Sequence, residues 1–162
     1  MKTKNLLSIL LIVVTTTAFS QINFDLKTSN VKWTGKKITN QAHSGSIKFS
    51  SASLSLDNPN NPLGVFTVDM TSLTNEDLTG EWKQKLEGHL KSDDFFSVKK
   101  YPKATLIIKK INSHNNNTYE VTGNLTIKNK THPVNFSLVV YKDRVESKLT
   151  FDRTKYDIQF AS

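Results

Sequence analysis

The chain contains no cysteine. Its folding therefore uses no disulfide, its chemistry no thiolate, its sites no cysteine-ligated metal, and its export no cysteine-linked lipid anchor. No internal repeat, low-complexity stretch or interdomain linker is present either, so one domain is expected. Histidine is scarce, and His43, His114 and His132 fall in separate predicted loops without the close pairing that a metal site needs. No polybasic cluster accompanies the formal net charge of +8, because the lysines are scattered along the chain. That pattern argues against a nucleic-acid partner and leaves a transient contact with anionic membrane headgroups as the use such a charge allows.

What is present begins with an export signal. Lys2 and Lys4 precede an apolar run from Leu6 to Val14, and Ala18 and Ser20 supply the small residues of a cleavage site before Gln21. The run is shorter than the ~20 residues a membrane-spanning helix requires. Residues 1–20 are read as a signal peptide and 21–162 as one exported domain, periplasmic or secreted, monomeric or homodimeric. That length suffices for a single buried core.

Alternation of apolar and polar residues, the period of a half-buried strand, dominates the domain. Val31 and Trp33 open the pattern, followed by Ile47 and Phe49, Leu54 and Leu56, and Phe66, Val68 and Met70. Later sets are Tyr119, Val121, Leu125 and Ile127; Val134, Phe136, Leu138 and Val140; and Val145, Leu149 and Phe151. Turn-forming residues separate them at Asp57 to Gly64, His114 to Asn117, Asn129-Lys130 and Tyr141 to Arg144. The last three predict consecutive hairpins, a meander. A barrel or sandwich fits this spacing better than a helical bundle.

One segment departs from the strand period. Leu78, Trp82, Leu86 and Leu90 recur at four-residue spacing and predict a helix with an apolar stripe, while Glu81, Lys83, Gln84, Lys85 and Glu87 are expected to face water. Gly88 is expected to bend or end that helix, and Asp93 to cap a short turn carrying Phe95 and Phe96. A helix among strands suits a plug or lid, but periodicity alone does not separate a filled barrel from one with a ligand cavity.

Several motifs in order resemble the YceI-like proteins. They are Val31-Lys32-Trp33-Thr34-Gly35, Gly45-Ser46-Ile47-Lys48-Phe49, and the segment from His89 through Phe96 to Tyr101-Pro102-Lys103-Ala104-Thr105-Leu106. Val121 to Ile127 leading to Thr131-His132-Pro133-Val134, and Phe151 to Ile158, which resembles the family's late arginine-containing strand, complete the match. The resemblance implies an all-β fold, an elongated lipocalin-like antiparallel β-barrel with a short helical lid. It also implies an apolar tunnel for a polyisoprenoid, a quinone tail or a similar long-chain amphiphile, bound without a catalytic cofactor. Family members usually continue through a further loop and a closing strand beyond the arginine segment, so either this sequence is cut short at Ser162 or the barrel is open at one edge.

Trp33, Phe49, Phe66, Trp82, Leu86, Leu90, Phe95, Phe96, Leu106, Phe136 and Leu138 are the ligand-lining candidates, with Arg153 as a headgroup contact. Each apolar candidate has ordinary core packing as its alternative, since one inward face can serve both ends. Two rival functions stay open on sequence grounds. One is a hydrolase or isomerase acting on a lipid-like substrate through His89 with Asp93 and Asp94, although no activated nucleophile accompanies them. The other is a secreted stress or adhesion protein displaying loops on a filled barrel.

Overall fold

Where the sequence alternates, the backbone pairs. The computed structural model describes residues 21–36, 42–57 and 63–158. The 1–20 export segment and the 58–62 portion of the expected loop lie outside those residues. Strands β1 (Ile22–Asn23), β2 (Asn30–Lys36), β3 (Ala42–Leu54) and β4 (Gly64–Asn75) precede the helix α1 (Gly80–Lys91). Strands β5 (Lys103–Asn115), β6 (Thr118–Ile127), β7 (Lys130–Val140) and β8 (Val145–Lys148) follow it. All pairings are antiparallel, in the order β1-β3-β4-β5-β6-β7-β8, with β2 on the same side of β3 as β1. The result is one curled sheet, a half-barrel. Among the described residues no ladder joins β8 to β1 or β2, so the circuit is open there.

The three predicted hairpins form the meander β5 to β8. Asn116 carries the left-handed backbone of the first turn, and Lys128 and Asn129 that of the second, one residue earlier than expected. The pairing register places Leu54, Gly64, Ile108, Gly123 and Val134 in one row across the sheet, and Ala52, Phe66, Leu106 and Leu125 in the next. Side chains alternate between faces, so these rows lie on one surface, the concave one.

Strand β4 does not stay regular, and its departure makes room for the lid. Beyond Asp69 its β5 partner ends at Lys103, and Asp69 Oδ1 accepts from Thr71 N and Thr71 Oγ1 at 2.9 and 2.6 Å. Ser72 Oγ donates to the Asp69 carbonyl at 2.6 Å and accepts from Lys48 N at 2.8 Å. This bulge lets Met70 and Leu73 both enter the core despite their odd spacing. Helix α1 then packs beside the C-terminal part of β4.

Four expectations for the helix and the tail need correction. Helix α1 runs on through Gly88 to Lys91, where the propensity cost of one glycine, about 1 kcal/mol, is outweighed by the packing of Leu86 and Leu90 on either side of it. The turn after it is closed by Phe96 N on the Leu90 carbonyl and Val98 N on the Lys91 carbonyl, both near 3 Å. Asp93 there accepts from Ser97 Oγ at 2.9 Å rather than capping a helical start. The segment expected as an arginine-bearing strand is a 3-10 helix, Arg153–Tyr156, because Asp152 Oδ1 accepts from Thr154 N and Thr154 Oγ1. Phe151, expected inward on β8, lies beyond that strand and is 40% exposed.

Candidate functional site

Two apolar clusters share the concave face. The first lies under α1 and joins Ile47, Met70, Leu73, Leu90, Val98, Leu125, Ile127, Tyr156 and Ile158, with Trp33, Leu86, Phe95 and Phe96 packed against it. The second holds Leu54, Leu63, Ile108, Val121, Phe136 and Leu138, with Phe66 and Tyr119 at its margin. Leu106, Val134 and Leu149 touch both clusters and make them one surface. From Ala104 to Ile111 on β5 this surface runs about 24 Å at a strand's rise per residue.

Most of the predicted lining residues meet here. Trp33, Leu86, Leu90, Phe95, Phe96 and Leu106 belong to the first group, and Phe66, Phe136, Leu138 and again Leu106 to the second. Phe49 tilts against Phe66 with ring centres 6.2 Å apart. Trp82 does not join them. It is 71% exposed, with Lys85 Nζ 5.1 Å from its ring. A four-residue step advances a helix by more than one turn, so the stripe read from Leu78 to Leu90 winds around α1 and carries Trp82 off the packed side. Glu87, expected in water, instead reaches inward to β4.

Two hollows, of about 300 and 190 Å³, lie at the ends of the sheet order beside Val139 and Glu146 and beside Gln21 and Leu63. The apolar face between them is unsealed, since Phe66, Leu106, Val134, Leu149, Phe95 and Phe96 all remain half-buried.

The lid end carries the polar candidates. Phe95 meets Phe96 edge to face at 4.9 Å and His89 at 5.6 Å, and the Arg153 guanidinium lies 5.3 Å from the Phe95 ring centre. Asp93 is engaged by Ser97 and lies 3.8 Å from Lys100 Nζ, while Asp94 faces solvent. No group of three metal-ligating side chains occurs among the described residues.

A polar hub that the sequence did not announce ties the lid to the sheet. Asn75, fully buried, donates from Nδ2 to the Ser44 carbonyl at 2.9 Å and to Asp77 Oδ1 at 2.6 Å, and accepts from Leu78 N at 2.9 Å. Glu87 on α1 accepts from Asn75 N at 2.8 Å and Thr74 Oγ1 at 2.7 Å. Burial pushes the Glu87 carboxyl up, but those two bonds outweigh it and hold it below its ordinary value. The Ser44 amide, and after it the His43 ring at 2.8 Å, bring Asp77 down from 3.8 to about 2.

This hub has a consequence in acid. A carboxylate with a depressed folded pKa stabilises the fold fully above its unfolded value and loses that contribution as pH falls through the folded one. The Asp77 contribution is therefore present above about 3.8 and lost toward about 2. Urea midpoints measured across that window should fall more steeply for the parent than for Asp77→Asn. Parallel slopes would refute the assignment.

Comparison with known proteins places this architecture. The profile of the YceI-like domain family matches residues 22–162. A crystal structure of Burkholderia cenocepacia BcnA aligns with a TM-score of 0.63 at 25% identity, over 83% of this chain and 84% of that one. A Campylobacter jejuni YCEI protein aligns with a TM-score of 0.41 at 20% identity, over 88% of this chain and 74% of that one. A UPF0312 protein of Pseudomonas putida is 44% identical over 48 residues, 30% of this chain. That match spans only 25% of the relative's length.

Proposed function

The chain belongs to the YceI-like family, and from that membership we propose that it is an exported carrier or sequestering protein for a long-chain amphiphile, such as a polyisoprenoid or a quinone. Members of the family are binding proteins rather than enzymes. The observation that carries the reading is the unsealed concave face. A core built only for stability buries its large apolar side chains, yet here Phe66, Leu106, Leu149, Phe95 and Phe96, all packed against the two joined clusters, remain only partly buried. Each methylene of a guest laid along them gains about 0.8 kcal/mol before ordering costs are subtracted. Guest entry separates side chains that now touch, and α1 with the turn after it is the element outside the ladders that can yield. Export rests on the N-terminal signal pattern, and the guest's lipid character makes a transient visit to a membrane surface part of the proposal.

Native mass spectrometry of the purified protein should show a co-purifying amphiphile that organic extraction removes. Phe96→Asp should lower its retention by roughly tenfold, since it replaces an apolar contact by a charge that the guest desolvates. A parent protein that carries no amphiphile, and takes none up from a lipid extract, would overturn the proposal.

A further inference from the structure

Tyr156 is 1% exposed, and its hydroxyl has no hydrogen-bond partner among the described residues. The ring is held firmly. His132 meets it edge to face at 5.1 Å and Phe151 at 5.5 Å, and His132 is itself fixed by its bond to the Lys155 carbonyl at 2.8 Å. Burial raises the phenol's pKa, so it keeps its proton and remains a donor. It belongs to the cluster under α1 with Leu73, Leu90, Leu125 and Ile127, whose side chains carry no acceptor. Phenylalanine would fill the same space at no polar cost, so an unpaired hydroxyl at such a site calls for an explanation.

We propose that Tyr156 is the polar anchor of the binding face, donating its hydroxyl hydrogen to an uncharged oxygen acceptor, a ketone, ester or quinone carbonyl, on the head of the guest. This rests on the guest-binding reading and adds which end of the molecule holds the head. Tyr156 shares the cluster that Leu90 of α1 joins and against which Phe95 and Phe96 pack, so the head lies at the lid end and the tail runs along Leu106 toward Phe66. A neutral acceptor suits the apolar surroundings better than an anion, because an ionised head would give up its hydration there. The chain's local design supports a fixed donor. Asp152 caps the 3-10 helix that carries Tyr156, and Asp157 after it adopts the left-handed conformation whose amide closes on the Arg153 and Thr154 carbonyls.

The test uses lipid-stripped parent and Tyr156→Phe proteins, titrated with methyl palmitate, hexadecane and palmitate and read by native mass spectrometry. The parent should prefer the ester. Tyr156→Phe should weaken ester binding by roughly three- to tenfold, the worth of one hydrogen bond, and leave hexadecane binding unchanged. The ligand-free variant should unfold in urea at the same or a higher concentration than the parent, which a hydroxyl with a structural partner would not allow. Equal ester affinities, a destabilised ligand-free variant, or a parent that prefers palmitate would each overturn the assignment. Tight but equal binding of the ester by both proteins removes Tyr156 alone, whereas failure of both to bind any probe removes the guest-binding reading and the anchor with it.

Discussion

Gly45→Ala should lower the stability of this protein by about 3 kcal/mol or more, a loss at the upper end of overpacking costs. A Cβ built at Gly45 lies 1.9 Å from the Thr74 carbonyl oxygen and 2.7 to 2.8 Å from the Trp33 indole. Neither neighbour can withdraw easily. The Thr74 oxygen belongs to the backbone of β4 and accepts from Trp33 Nε1 at 3.2 Å. The Trp33 ring covers Gly45 and packs on the cluster under α1. A methyl group there must separate β3 from β4 or displace the indole, and either movement opens the lid end. Thermal unfolding should show a fall of roughly 10 °C. Gly88→Ala is the matched control, because its new methyl meets nothing and the helix gains propensity, so its midpoint should stay level or rise. A Gly45→Ala protein that melts with the parent would show that the sheet is looser here than the packing implies.

Asn75→Ala should cost about 3 kcal/mol through a different mechanism. The substitution removes three side-chain hydrogen bonds and strands the Leu78 amide, while the Asp77 carboxylate loses one of its donors. The Ser44 carbonyl keeps a partner in Glu76 N at 2.9 Å, so the penalty falls mainly on the chain entering α1. Hydrogen exchange should therefore quicken across Gly80–Lys91 by more than it does in β6 and β7, whose ladders lie elsewhere. Uniform quickening in all elements, or no change in α1, would contradict the role of Asn75 as the tie between lid and sheet.

The strands were legible because a half-buried sheet writes itself into sequence with period two. Val121, Leu125 and Ile127 alternate with polar residues on β6, and Phe136 and Leu138 do so on β7, where they are buried as the pattern implied. Phe66 was placed inward by the same rule, whereas Leu106 entered only through the resemblance, and the register pairs the two on one face. Trp82 failed for a reason internal to helices. Four-residue spacing drifts, so only packing decides which part of a long stripe is covered. Leu73 escaped notice because the bulge at Asp69 breaks the period that would have grouped it with Met70. Tyr156 and Ile158 escaped because they follow a 3-10 helix and are buried by a chain reversal rather than by alternation.

The sequence by itself determined the family, the all-β class, the hairpin meander, the single helix among strands and the dependence on packing in place of disulfides. Alternation, turn residues and the absence of cysteine are local facts, and local facts suffice for these. The tertiary structure alone decided that the apolar residues gather on one face of an open half-barrel, that Trp82 faces water, and that Asn75 and Glu87 bind the lid to β4. It alone left the Tyr156 hydroxyl buried without a partner among the described residues. Those outcomes depend on which distant residues arrive at the same place, and no periodicity within one strand carries that information.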